Sequence, residues 1–227
     1  MPAHLRVRSY GLALFGAACG LLPVAAQAQL EVAPYVGLYW PTSDLASEAG
    51  VSVRHQSSVT EGARVTLWGP GRVGIEGTVG YAPSPVWSSY GRTYGAHVWT
   101  GSVKARLRVT PPAARAALQV AGGIGIVGHQ GYAYTPWYPG PWTFVGGIAN
   151  VSGVIRLVRW VGVRFDAEDF VYSAHLDRCT RTGGNQTGVC DAANSSLLQS
   201  TSARLQNDLV LSIGIGFACC PSGSRSH

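Results

Sequence analysis

The chain has 227 residues, of which 46% are hydrophobic and only 12% charged, about half the usual charged share. That balance excludes intrinsic disorder, which needs low hydrophobicity and high charge, and the charged, Leu-rich composition of a coiled coil. The net charge of +6 carries no Lys/Arg cluster, so nucleic acid is not an expected partner.

Residues 1–28 read as a cleaved signal peptide. Arg6 and Arg8 precede a short apolar run, and Ala26-Gln27-Ala28 has the small-x-small pattern of a cleavage site. Gly16, Gly20 and Pro23 interrupt that run, which is too short for a spanning helix of about 20 residues. The remaining chain has 15 basic and 11 acidic residues, a net charge of +4. No later segment has 18 consecutive apolar residues.

After residue 28 the dominant pattern has period two, the signature of strands. The first segment, Leu30 to Trp40, sets Val32, Val36 and Leu38 against Glu31, Ala33, Tyr35 and Tyr39. The second, Val59 to Trp68, opposes Val65 and Leu67 to Arg64 and Thr66. The third, Arg72 to Tyr81, opposes Ile75 and Val79 to Arg72, Glu76 and Thr78. The fourth, Ala96 to Val109, puts Lys104, Arg106 and Arg108 on one face and Val103, Ala105 and Leu107 on the other. The fifth, Arg115 to Gly128, opposes Leu118, Val120 and Ile124 to Arg115, Gln119 and Gly123. The sixth, Trp142 to Val158, opposes Val145, Val151 and Ile155 to Asn150, Ser152 and Arg156. The seventh, Trp160 to Tyr172, opposes Val163 and Phe165 to Arg164, Asp166 and Glu168. The eighth, Arg204 to Phe217, opposes Leu209, Leu211 and Ile213 to Gln206, Asp208 and Ser212.

The connections alternate in length as well. Short ones follow the second, fourth and sixth segments; long ones span 41–58, 82–95, 129–141 and 173–203. Eight strands with short turns at one end and long loops at the other predict an all-β fold, an eight-stranded antiparallel up-and-down transmembrane β-barrel. In lipid every backbone N–H and C=O must pair internally, and a closed barrel achieves this. An even strand number puts both termini at the short-turn, periplasmic end. Trp40, Trp68, Tyr81, Trp142, Trp160 and Tyr172 near strand ends are assigned to interfacial girdles. The domain reading is residues 1–28 signal, 29–218 barrel and 219–227 a short tail. The alternative is a soluble periplasmic carrier barrel with the two faces reversed.

Here the chain resembles the small outer-membrane β-barrel family, the OmpA/OmpX-like domains of Gram-negative bacteria. The resemblance rests on the opening Val32-Ala33-Pro34-Tyr35-Val36-Gly37 and the closing Leu209 to Phe217. It implies that outer-membrane lipid surrounds a monomer and that the closing strand is presented to the barrel-insertion machinery during assembly. In the family an aromatic residue usually ends the chain; here Ala218 to His227 follow Phe217.

The inward face would carry Glu31, Arg64, Arg72, Glu76, Lys104, Arg106, Arg108, Arg115, Arg156, Arg164, Asp166, Glu168 and Asp208. Two roles are open: a paired network that plugs the barrel, or a narrow polar channel for small solutes or hydrophobic compounds. Cys179 and Cys190 share a short polar segment and are expected to form a disulfide; Cys219 and Cys220 have no assigned role. The third long loop holds Tyr132, Tyr134, Trp137, Tyr138 and Trp142, rings suited either to binding a surface ligand or to packing at the interface. His55, His97, His129 and His175 fall near the long-loop end and are expected to be solvated rather than catalytic. No cofactor motif, metal cluster or nucleophile element is evident, so the chain is not expected to be an enzyme. The functional expectation is a structural or surface-interaction role through the long loops.

Overall fold

A computed structural model describes residues 29–48, 51–89, 91, 93–111, 114–134, 142–174 and 204–219. The expected signal segment, the Cys179–Cys190 pair, Trp137, Tyr138, His175 and Cys220 lie outside the described residues.

Strands account for most of the described residues: β1 Gln29–Pro41, β2 Ala46–Glu48, β3 Val51–His55, β4 Ser58–Trp68, β5 Val73–Ala82, β6 Val86–Ser88, β7 Thr93–Tyr94, β8 His97–Arg108, β9 Ala116–Gln130, β10 Trp142–Val158, β11 Val161–Ala174 and β12 Arg204–Cys219. The eight long strands form a closed antiparallel barrel in chain order, β12 pairing back onto β1. Stepping through paired residues from Glu31 leads to Thr66, Glu76, Lys104, Gly123, Ile148, Phe170 and Asp208, and returns to β1 at Pro41. The register thus advances ten residues in one circuit, from position 31 to position 41. With about 3.3 Å per residue and about 4.8 Å between strands, eight strands then tilt by about 40°.

Alternation decides which side chains enter the lumen. Ala33, Tyr35 and Tyr39 of β1 are buried, while Val36, Leu38 and Trp40 between them are exposed. The same reversal of the usual soluble order runs around the barrel. Val59, Val79, Val103, Ile124 and Val145 are each more than 60% exposed, whereas Arg64, Glu76, Lys104, Arg106, Arg164 and Glu168 are at most 1% exposed. A water-facing surface would not collect so wide an apolar patch, and a membrane-facing one requires it. Pro34 faces outward and lacks an N–H; the β1–β12 register has no pair at positions 33 and 34.

Arg72 and Arg115 correct the inward assignment. Both lie in turns beyond the strand ends and are exposed. Trp68 and Tyr172 correct the girdle assignment, for they are 1% and 3% exposed and point inward. Trp40, Tyr81 and Trp160 do face outward.

The first two long connections are not simple loops. They contribute β2, β3, β6 and β7 to a second antiparallel sheet at the loop end. Arg54 pairs with Trp87 and His55 with Val86 in this sheet. His55 and Val86 are buried, and Arg54 is exposed on the other face.

Candidate functional site

The lumen holds two layers of polar side chains. In the middle lies an ionic layer supplied by β4, β5, β8 and β11. Glu76 is its hub. Its carboxylate accepts from Lys104 Nζ at 3.0 Å, Arg106 Nη1 at 2.6 Å, Arg164 Nη1 at 2.7 Å and Thr66 Oγ1 at 2.8 Å. Arg164 also reaches Asp166 Oδ1 at 2.8 Å. Arg64 binds Glu168 at 3.0 Å, lies 3.6 Å from Asp166, and donates to Ser212 Oγ at 2.9 Å. Lys104 closes the ring on Glu168, and Arg106 donates to Ser152. These ionic side chains have at most 1% exposure, so water does not screen them.

Register explains why they meet. Thr66, Glu76 and Lys104 are paired neighbours on successive strands, so their inward side chains lie side by side. Tyr35 fits beneath Arg64, whose guanidinium carbon is 3.9 Å from the ring centroid. Gly62 and Gly80 leave the room for that ring, since a Cβ on either would strike it.

The expected inward charges divide into three groups. Arg64, Glu76, Lys104, Arg106, Arg164, Asp166 and Glu168 form the ionic layer. Glu31, Arg108 and Arg156 lie toward the short-turn end. There Trp68 Nε1–H donates to Glu31 at 3.1 Å, Arg108 stacks 3.6 Å over the Trp68 ring, and Arg156 donates to the Ala114 carbonyl at 3.3 Å. Asp208 stands apart, near the loop end.

Asp208 belongs to the second layer, built from aromatic rings and two histidines. His55 Nδ1–H donates to the Ser84 carbonyl at 2.9 Å, and Tyr134 O–H donates to His55 Nε2 at 2.5 Å. The His55 and His129 rings meet edge to face, with centroids 4.7 Å apart. His129 Nε2 donates to the Tyr172 oxygen at 3.2 Å, and Tyr172 O–H donates to Asp208 at 2.8 Å. Tyr39, Val98, Val127, Ile148 and Phe170 enclose these groups.

His55 and His129 are therefore buried, at 2% and 0% exposure, where sequence reasoning expected solvated loop residues. His129 has the inward parity of β9, but the pairing of β3 with β6 that encloses His55 has no local signal. Burial pulls the His55 imidazole down to about 4, partly opposed by its bond to Ser84. Burial also pushes the Tyr134 phenol well above its usual range. Both groups are thus neutral near pH 7.

Tyr134 sits in a short 3-10 turn, Tyr132–Tyr134, and packs its ring on His55. Trp142 opens β10, paired with His129. Ser84 Oγ approaches His55 Nδ1 at 3.1 Å, an arrangement that invites comparison with a nucleophile and its base. However, Ser84 donates its proton to the Gln56 carbonyl and is completely buried. It holds the loop sheet in place and has no open side for a substrate.

No protein-family model and no curated protein matches the sequence. Solved structures do match in fold. The outer-membrane protein OprG of Pseudomonas aeruginosa aligns with a TM-score of 0.56 at 9% identity, over 85% of this chain and 96% of that one. Neisserial surface protein A aligns with a TM-score of 0.50 at 4% identity, over 84% of this chain and 96% of that one. At such identities the likeness is one of fold. The chain has the fold of the small eight-stranded outer-membrane barrels.

Proposed function

We propose that this chain is an outer-membrane barrel with a structural or surface-interaction role at its loop end, rather than an open pore. The observation that carries the reading is a paired ionic layer closing the middle of the lumen, inside a wall whose outer face is apolar. A conducting lumen needs a continuous wet path, and these charges are held by one another instead. With the apolar wall in lipid, both described strand ends, Gln29 and Cys219, sit on the periplasmic side, after removal of residues 1–28.

At the opposite end Trp40, Arg54 and Trp87 border an open recess. The Arg54 guanidinium lies 5.6 Å from the Trp87 ring centroid. An exposed cation among aromatic rings suits a polar or anionic surface ligand.

Two measurements test the reading. Gel mobility of the chain folded in detergent shifts on boiling if the barrel is membrane-embedded, and stays constant if it is a soluble carrier. In planar bilayers the folded chain produces no discrete conductance steps. Stable steps would replace the sealed barrel with a narrow channel.

A further inference from the structure

A second recess, unconnected with the loop-end surface, opens at the short-turn end of the barrel. The ionic layer closes it from above, and Glu31, Arg108, Gln119, Arg156, Arg159 and Trp160 are among its lining residues. Four arginines in all, Arg164 in the roof included, face one carboxylate, Glu31. Arg164 is engaged by Glu76 and Asp166, whereas Glu31 accepts only from the uncharged Trp68 indole and offsets one of the three remaining arginines. The local balance in the recess is therefore positive.

Two deeply buried atoms in this recess have no hydrogen-bond partner among the described residues, although the Arg108 guanidinium also stacks on Trp68 and reaches Gln29 Oε1 at 3.5 Å. Arg108 is 6% exposed, and its Nε–H has no acceptor. Gln119 is 3% exposed, and its Oε1 has no donor. One orphan is a charged donor and the other is an acceptor. Leaving such groups dry costs about 1–3 kcal/mol each, more for the charged one. An occupant that accepts from one and donates to the other removes both penalties.

We propose that this recess is a binding site for a protonated phosphate group, either free hydrogen phosphate or the end of a phosphomonoester. Its unprotonated oxygens accept from Arg108 Nε–H and from the half-buried Arg156 at the mouth, and its P–OH donates to Gln119 Oε1. Guanidinium groups match phosphate oxygens in geometry as well as charge. A fully ionised anion such as sulfate satisfies the arginines and leaves Gln119 unmet. The site thus prefers phosphate to sulfate. The recess itself does not depend on the membrane reading; only the compartment it faces does.

The test is calorimetric titration of the folded chain, in an uncharged detergent at pH 6.5, with inorganic phosphate and with sulfate. The expected result is saturable one-to-one phosphate binding, at least fivefold tighter than sulfate. Arg156→Gln weakens phosphate binding about tenfold. Gln119→Leu abolishes the preference over sulfate. Arg72→Gln, in a different turn at the same end, leaves both unchanged. Since Gln119 is buried, its variant is read only if it retains the boiling-dependent mobility shift; Arg156, at the mouth, carries the test otherwise. A second arm compares bilayer discs containing phosphatidic acid with discs of phosphatidylcholine. Loss of free-phosphate binding in the former assigns the site to a lipid phosphomonoester, and unchanged binding assigns it to the soluble ion. Absence of saturable phosphate binding, or equal binding by wild type and Arg156→Gln, overturns the proposal. A normal mobility shift alongside that result leaves the barrel reading intact.

Discussion

The two layers of the lumen solve the same problem by different means. Both bury polar groups in a space too narrow for bulk water. The ionic layer keeps its groups charged and sets three carboxylates against four cations, with Glu76 serving Lys104, Arg106 and Arg164 together. The aromatic layer keeps His55 neutral and satisfies it through Ser84 and Tyr134. The ionic layer draws only on barrel strands, and its geometry follows from register. The loop-end layer draws on β3 and the 3-10 turn as well, so it persists only while those segments stay closed over the barrel. The first layer should therefore control global stability, and the second local opening at the loop end.

The strongest way to break this comparison is at Glu76. Glu76→Gln leaves Arg64, Lys104, Arg106 and Arg164 sharing Asp166 and Glu168, with two uncompensated positive charges in a dry lumen. Removing one partner of a buried ion pair typically costs about 3–5 kcal/mol. Urea unfolding of the chain in lipid vesicles, followed by tryptophan fluorescence, should show a loss of that order. Adding Lys104→Met removes one excess charge and should recover part of the loss. If Glu76→Gln unfolds at the wild-type urea concentration, the ionic layer is not what holds the barrel closed.

A smaller effect, confined to the other layer, is expected from pH. The His55 imidazole titrates at about 4 when folded and near 6.5 when exposed. Between those values the opened state binds a proton that the closed state does not. Closure is therefore fully stable above pH 6.5, weakens as pH falls toward 4, and levels off below. The total loss is about 3 kcal/mol, at 1.4 kcal/mol per pH unit. Protection factors of backbone amides in β3 and β6, which correct for the fall of intrinsic exchange with pH, should drop through that window, while those of β8 and β11 should not. His55→Phe should flatten that acid-dependent loss of protection. A uniform loss in both regions would show that the layers are not independent.

How much of this was legible beforehand follows the same division. The ionic layer could be read because each member stands at a fixed parity within an alternating strand. Arg64 next to Val65, and Glu76 next to Ile75, already separate lumen from wall. At Trp68 and Tyr172 residue type and parity point opposite ways, and parity decides. Trp68 was assigned to a girdle by residue type, although it shares its face with Arg64 and Thr66; inside, it stacks on Arg108 and donates to Glu31. Tyr172 shares its face with Glu168 and binds Asp208. Arg72 and Arg115 had the inward parity but lie past the strand ends, where side chains can turn to water. The loop-end layer was illegible for a different reason. His55 meets Ser84 across 29 residues and Tyr134 across 79, through a sheet whose strands are only two to five residues long. Strands that short carry too few alternations to be recognised.

The finest test concerns whether loop closure depends on one hydrogen bond or on ring packing. Tyr134→Phe retains the ring stacked on His55, at a centroid distance of 5.8 Å, and removes the O–H that His55 Nε2 accepts. An unsatisfied buried acceptor costs about 1–2 kcal/mol, so local opening should rise by about 5- to 30-fold at pH 7.5. Barrel unfolding in urea should be unchanged, because Tyr134 lies outside the barrel strands. Tyr134→Ala removes both the bond and the ring and should open the loop end further, by an amount that measures the packing alone. If Tyr134→Phe behaves as wild type, the rings hold the loop-end layer and the hydrogen bond to His55 is incidental. If it behaves as Tyr134→Ala, the bond to a neutral His55 is what closes the loops, and the acid sensitivity of β3 and the closure of the layer are one effect.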